Sequence, residues 1–338
     1  VINSINLLEI RGRDSLGIFF NITLEKNEKN LKIVKNLNPN GKYSYKITTK
    51  KIILNVVFKK FNIIGSLGEN SNKLLHQFKR DKSIINLFLQ GNFETVTIIA
   101  HTRWASVGKV NLENTHPVIK NKIFSFMNGD IQNYKNFIKS KNKKNKESDA
   151  FALCNIFNSQ KDFKNKLKTK KLIHQTKGSF AGVVFLENDI SEILLIRKGS
   201  MGLFNGKNSD RIFFSSDIYG LVEDCQKSIE CKKDSFSTLK ISVDNTKLKN
   251  FSLQKKNNKS FLYNRYENNV ITRRDLVKKN YKYYLEKEIN ESSDIVKKTI
   301  INYLESKSTQ NKTNLFNETK FTNIKNIVSK IKNKTVNK

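Results

Sequence analysis

Proline is almost absent: the 338 residues contain two, beside 14 glycines. Collagen-like repeats and proline-rich linkers are thereby excluded. No run of eighteen apolar residues occurs, so no membrane-spanning helix is expected. Cysteine is also sparse. Cys154, Cys225 and Cys231 match no tight zinc spacing, and His76, His101, His116 and His174 are dispersed. Neither a metal nor a cofactor is expected. Free thiols without a signal-peptide pattern fit a reducing, cytoplasmic setting. Arginine and alanine are scarce too, with nine and five copies against 45 asparagines.

What is abundant is positive charge. Lys and Arg number 63 against 30 Asp and Glu, a formal net charge of +33. Such an excess invites a polyanionic partner. The rest of the composition argues otherwise. Lys, Asn and Ile rise together while Ala, Gly, Pro and Arg fall, which is the imprint of AT-rich codon usage. Arginine, the residue suited to bidentate phosphate contacts, is the scarce one. Nucleic acid is therefore not expected as a partner. Hydrophobic residues make up 37%, and runs such as Ile52 to Phe58 can fill a core, so a disordered chain is excluded.

Residues 1–9 place apolar groups at helical spacing and read as the end of a helix. Val1 enters this run without an initiator Met, so a chain truncated at both ends is the expectation. Strands are expected over Ile18–Leu24, Thr95–Ala100 and Ile123–Met127, with a strand and a short amphipathic element within Tyr45–Ile64. Residues 66–94 carry a helical pattern. A helix is expected over about 130–139 after the strand that ends at Asn128-Gly129, then a solvated loop over 139–148. Asp149 opens a further helix, where an aspartate suits the N-terminus. Strands follow at 180–187, 192–198, 211–217 and 239–243, with a turn between the second and third. Residues 281–306 are helical in pattern, and the tail 308–338 is rich in Asn and Lys. The expected class is α+β, two strand blocks with helices between them and a helical appendix.

Four polar segments follow apolar strands, where rigid scaffolds hold functional groups. His101-Thr102-Arg103-Trp104-Ala105-Ser106-Val107-Gly108 contains the only Trp and one of the few arginines. An arginine there can fork onto a carboxylate, and Ser106 can bond a polar ligand. It can equally be a surface arginine stacked on an aromatic. Asn128-Gly129 reads as a tight turn or as an oxyanion hole built from an amide side chain and a backbone N–H. Glu147-Ser148-Asp149 reads as a helix cap or as a carboxylate that grips an ammonium group. Arg11-Gly12-Arg13-Asp14-Ser15 alone says only turn.

Taken together and in this order, the segments resemble the class II glutamine amidotransferase domain, and within it the glutamine–fructose-6-phosphate aminotransferase family. Arg11 to Gly17 resembles that family's YRGYDSAG, and His101 to Gly108 its HTRWATHG. Thr115-His116-Pro117 falls where the family has Ala-His-Pro. Met127 to Tyr134 resembles HNGIIENY, Glu147-Ser148-Asp149 resembles ETD, and Gly178 to Ala181 resembles GAYA. Arg197 to Ser200 resembles ARKGSP, and Phe214 to Asp217 the later ASD. Tyr284 to Ile289 and Ile295 to Thr299 are similar to the connector that leads to the family's sugar-isomerase half.

The resemblance covers about residues 1–243. It implies a four-layer αββα sandwich of the N-terminal-nucleophile hydrolase type, followed by a C-terminal helical connector over 244–338. It implies that Asn128 and Gly129 form the oxyanion hole, that Arg103 holds the α-carboxylate of L-glutamine, and that Asp149 holds its α-ammonium. Trp104 and Ser106 would line the pocket, and Arg11 would lie near the nucleophile. Ammonia would pass to fructose 6-phosphate on a further C-terminal domain, making glucosamine 6-phosphate for amino-sugar biosynthesis toward UDP-N-acetylglucosamine. A homodimer is implied for the full-length enzyme.

Some departures matter. The family's nucleophile is a Cys at the first residue of the mature chain, and none of the three cysteines stands there, so this stretch is expected to be inactive. Ser106-Val107 replaces Thr-His, and 66–94 is longer than in common members. A paralogue for another amino sugar stays open. So do an amidophosphoribosyltransferase-like enzyme, which usually has Tyr where Trp104 stands, and a nucleophile-less basic binding or regulatory protein.

Overall fold

The computed structural model describes residues 2–9, 12–37, 43–61, 68–138, 147–157, 165–187, 189–208, 211–241, 247–252, 267–268, 280–281 and 284–308. The chain divides into two compact units, Val1–Leu276 and Val277–Lys338.

The first unit opens with α1 (Ile2–Leu8), β1 (Ser15–Glu25), α2 (Glu28–Lys35), β2 (Tyr43–Ile47), β3 (Lys51–Phe61), α3 (Glu69–Arg80), α4 (Lys82–Gln90) and β4 (Phe93–Arg103). Its first sheet has the order β2-β3-β1-β4, antiparallel throughout. β1 takes an inner position because it is apolar on both faces. Leu16, Ile18, Phe20, Ile22 and Leu24 point with period two toward α2, α3 and α4, while Phe19 points the other way. Side-chain caps start the helices where polar residues precede the apolar faces. Asn27 accepts from the Asn30 N–H, and Asp81 from the Ile84 N–H.

The chain continues with β5 (Val118–Lys120), β6 (Ile123–Ile131), α5 (Phe151–Ile156), α6 (Lys166–Gln175), β7 (Gly178–Leu186) and β8 (Asp189–Lys198). Then come β9 (Phe204–Lys207), β10 (Ile212–Ser215), β11 (Lys227–Glu230), β12 (Ser235–Lys240), β13 (Lys247–Ser252) and β14 (Glu267–Asn268). The second sheet has the order β13-β12-β8-β7-β6-β5, and a small third sheet the order β10-β9-β11-β14.

Phe19, Val57 and Ile99 of the first sheet pack on Phe124, Phe126, Phe185, Ile193 and Leu195 of the second. The Phe19 ring centroid lies 4.8 Å from Phe185 and 5.3 Å from Phe124. The opposite face of the second sheet, with Val184, Leu194 and Ile196, is closed by Phe151 and Leu153 of α5 and Ile173 of α6. Helices, sheet, sheet, helices: this is the αββα sandwich.

Several local expectations change. The hairpin β2–β3 fills the stretch where a strand and an amphipathic element were expected. β6 does not end at Asn128-Gly129. It runs to Ile131, because β7 pairs along its whole length, Asn128 opposite Ala181 and Gly129 opposite Phe180. Among the described residues of the helix expected over 130–139, which are 130–138, there is one 3-10 turn, Tyr134–Asn136. The long turn after β8 contains the extra strand β9, whose edges β10 and β11 occupy. The expected division after residue 243 differs from the observed one at 276/277, since β13 pairs with β12 and β14 with β11. Residues 139–146 and 309–338 lie outside the described residues.

The second unit contributes one long helix, α7 (Tyr284–Ser308), over the stretch read as a helical connector. None of the described helices is long and apolar enough to cross a membrane.

Candidate functional site

The turn after α1 docks directly on the end of β4. A Cβ at Gly12 would lie 2.6 Å from the Arg103 carbonyl carbon and 2.7 Å from the Trp104 nitrogen, so only glycine permits this approach. The Asp14 N–H donates to the Arg103 carbonyl (3.0 Å), and the Asp14 carboxylate accepts from the Ala105 N–H (2.7 Å). The turn segment thus fixes the course of the chain just past β4. Arg11 lies outside the described residues, and nothing places its side chain.

Arg103, the last residue of β4, is 5% exposed. The loop after it curls back over the guanidinium. Nη1 donates to the Lys109 carbonyl (3.1 Å) and Nη2 to the Val107 carbonyl (2.6 Å). A guanidinium has five N–H donors, so this cradle orients the fork while leaving donors for a carboxylate. Burial pulls its pKa down, while Asp149 and Asp14 pull it up. Trp104 (66% exposed) and Ser106 ride outside on the same loop. Gly108, with φ +83, supplies the left-handed residue that turns it.

Asn128 ends the inter-sheet row of β6, and Gly129 follows it in the strand. By strand alternation Asn128 continues the row of Phe124 and Phe126. Where that row leaves the core its amide Nδ2 donates to the Ser216 hydroxyl (3.0 Å), with the Met201 sulfur at 3.5 Å. Gly129 has φ +109, and a Cβ there would meet the Ser179 carbonyl oxygen at 2.2 Å. Met201 reaches this end because the Arg197–Ser200 segment folds under it. The Met201 N–H donates to the Ser179 hydroxyl (2.8 Å), and Arg197 donates to the Met201 carbonyl (2.8 Å), the Cys231 carbonyl and the Glu230 carboxylate (2.6 Å).

Asp149 is 6% exposed and sits in the turn before α5. Its carboxylate does not cap that helix; it accepts from the Ile131 N–H (2.9 Å), the last residue of β6. Burial raises its pKa, opposed by that N–H and by Arg103. Arg103 and Asp149 therefore act on each other electrostatically. Glu147 turns away to pair with Lys120 (3.1 Å).

The cysteines are elsewhere in character. All three are buried, and burial pushes the Cys154 thiol up to about 12 and the Cys225 thiol to about 11, with Cys231 raised as well. None is a poised thiolate. Among the described residues no cluster of His, Cys, Asp or Glu could hold a metal ion. Ser216 falls in the Phe214 to Asp217 match, but the sequence did not single out Asn114 or Met201 as neighbours of the site. Single loop residues of this kind carry no periodic signal, and only the folded contacts reveal them.

No family model matches the chain. Curated relatives do. The chain is 28% identical over 213 residues to glutamine–fructose-6-phosphate aminotransferase [isomerizing] of Buchnera aphidicola subsp. Acyrthosiphon pisum, covering 61% of this chain and 34% of that one. It is 28% identical over 278 residues to the enzyme of that name from Buchnera aphidicola subsp. Baizongia pistaciae, covering 75% and 43%. The one from Helicobacter pylori strain J99 is 31% identical over 200 residues, covering 57% and 31%. The chain thus spans well under half the length of these relatives. A solved glutamine phosphoribosylpyrophosphate amidotransferase from B. subtilis aligns at a distance, with TM-score 0.47 and 15% identity over 75% of this chain and 46% of that one.

The motifs and the curated relatives support a class II glutamine amidotransferase domain. The enzymes that share it here are glutamine–fructose-6-phosphate aminotransferases.

Proposed function

We propose that this chain binds L-glutamine between the ends of β4 and β6 and forms the glutaminase side of an enzyme that aminates fructose 6-phosphate to glucosamine 6-phosphate. The observation that carries the reading is that a buried cation, Arg103, and a buried anion, Asp149, act on each other electrostatically, and that Asp149 is bonded to β6, the strand that carries the Asn128 amide. Free glutamine presents a carboxylate, an ammonium and an amide, and needs that complement. Arg103 takes the α-carboxylate and Asp149 the α-ammonium, with Trp104 and Ser106 at the mouth. Asn128 Nδ2 and the Gly129 N–H face the side-chain amide, where oxygen gains negative charge as a nucleophile adds to its carbon. Each group is already anchored by the protein, so little reorganisation is needed on binding. Transfer of ammonia to fructose 6-phosphate, a partner domain and a homodimer follow from the relatives by proposal alone.

The nucleophile of the class is a thiolate, and Cys154, Cys225 and Cys231 are buried with raised thiol pKa values. None of these three thiols is therefore the nucleophile: replacing each with alanine should leave glutamine binding and any ammonia release unchanged. Isothermal titration with L-glutamine and an ammonia-release assay test both statements. Arg103→Lys should weaken binding about tenfold or more, because an ammonium cannot reproduce the fork. Undiminished affinity in that variant, or ammonia release that the loss of Cys154, Cys225 or Cys231 abolishes, would overturn the reading.

A further inference from the structure

Between β4 and β5 the chain makes an irregular passage whose last residues are buried: Asn114, Thr115 and His116 are 2%, 0% and 3% exposed. Buried irregular backbone is uncommon, and here its hydrogen bonds leave in three directions. The Lys109 carbonyl accepts from Arg103 Nη1 (3.1 Å) and from Asn114 Nδ2 (3.0 Å). Asn114 Oδ1 accepts from the N–H of Ser148 (2.8 Å), the residue before Asp149. His116 Nδ1 accepts from the N–H of Met127 (3.2 Å), the residue before Asn128. The passage is itself stiffened, because Asn111 Oδ1 accepts from the Asn114 N–H and the Asn111 carbonyl from both the N–H and hydroxyl of Thr115. It is also wedged in place. A Cβ at Gly17 would lie 1.5 Å from the His116 carbonyl oxygen, so β1 lies directly on it.

One side-chain amide therefore stands between the Arg103 anchor and the Asp149 anchor with both of its ends used. One imidazole holds the strand end that carries Asn128. We infer that Asn114 and His116 are positioning residues, which set the spacing between the carboxylate-, ammonium- and amide-recognising groups of the glutamine site. The inference rests on the glutamine reading above. The physical reason is that a rigid three-point ligand is recognised only if the three groups keep their separations to a fraction of an ångström. Hydrogen bonds inside a buried network hold such separations better than packing alone.

The two amide ends of Asn114 make the role testable. Asn114→Asp keeps an oxygen for the Ser148 N–H and loses the donor to Lys109, so it loosens only the Arg103 side. L-Glutamine and 4-aminobutanamide, which lacks the carboxylate, are titrated into the wild-type chain and the variant. The expected result is about tenfold weaker glutamine binding, the loss of one hydrogen bond at a charged site, with the affinity for 4-aminobutanamide unchanged. Equal losses for both ligands, or none for either, would overturn the assignment. A second pair guards against a variant that fails to fold. His116→Asn can still accept from the Met127 N–H and should keep glutamine affinity within about twofold. His116→Phe keeps the ring and removes the acceptor, and should lose about tenfold. Equal affinity in this pair would likewise overturn it. Wild-type titration comes first: no glutamine binding there removes the glutamine reading and this inference with it, whereas binding with the wrong variant pattern removes only the positioning roles.

Discussion

His101 and His116 stack face to face, with ring centroids 4.0 Å apart and planes 17° from parallel. Two imidazoles at that distance inside a core cannot both be charged, and neither is. Burial holds the His101 pKa down at about 4, and burial together with His101, Arg103 and Lys59 holds His116 well below the usual value. The consequence for stability has a definite sign. Both folded-state pKa values lie below the unfolded value of about 6.5, so the unfolded chain binds more protons than the native one once the pH drops past it. Stability is present above pH ~6.5 and is lost as the pH falls toward 4, by roughly 3 kcal/mol from His101 alone. Urea midpoints between pH 7 and pH 5 read this directly. His101→Phe, which keeps a flat ring in the stack, should flatten the curve over that interval. An equally steep curve in the variant would show that other groups drive the acid loss. The raised carboxyl of Asp149 contributes with the opposite sign, so it cannot imitate the effect.

At the scale of elements, the parts read best from sequence were those with a period. β1 was legible because its alternating face matches α2, α3 and α4, and α3 with α4 because their apolar residues recur at helical spacing. The sequence pattern ends β6 early because Asn-Gly is a strong turn signal, yet β7 supplies backbone partners on past it, and pairing overrides propensity. The candidate site was legible as four segments, through resemblance, but not as a network. Asn114 looks like any loop asparagine among 45 until its contacts are known. A similar polar residue hides inside the sandwich. Asn21 on β1 and Asn55 on β3 are buried opposite one another, Asn21 Nδ2 donating to Asn55 Oδ1 at 2.8 Å. Asn55 Nδ2 in turn donates to the Glu187 carbonyl at 2.9 Å, which ties the first sheet to the end of β7. Asn55→Val would leave the Asn21 amide and that carbonyl without these bonds in a buried setting. A loss of about 2–4 kcal/mol is expected by urea denaturation. Asn21→Leu with Asn55→Val, which removes both ends of the pair, should recover part of it. A single variant as stable as wild type would mean that water replaces these bonds.

For the whole molecule, the net charge of +33 is the quantity that the fold has to carry. Of the arginines in the motif matches, Arg103 and Arg197 are turned inward onto backbone carbonyls and do not contribute to a basic surface, whereas Arg13 is exposed. Among the described residues the excess is borne by lysines on strands, helices and loops alike. Lys51–Glu94, Lys73–Glu69 and Lys240–Glu192 are partly exposed pairs of the kind that contribute at most about 1 kcal/mol each. Repulsion among the unbalanced lysines is felt more strongly in the compact state than in an expanded chain, so it lowers stability at low ionic strength. Salt screens it with a Debye length of about 10 Å at 0.1 M. The same screening weakens the surface pairs, but with 63 basic groups against 30 acidic ones repulsion outweighs attraction. The melting temperature should therefore rise by several degrees between about 20 and 300 mM potassium chloride, most steeply at the low end, where the Debye length changes most. Chloride and acetate should act alike if screening is the cause. A melting temperature that is flat or falls with salt would mean that the lysines are balanced by local ion pairs and that the composition imposes no electrostatic strain on the fold.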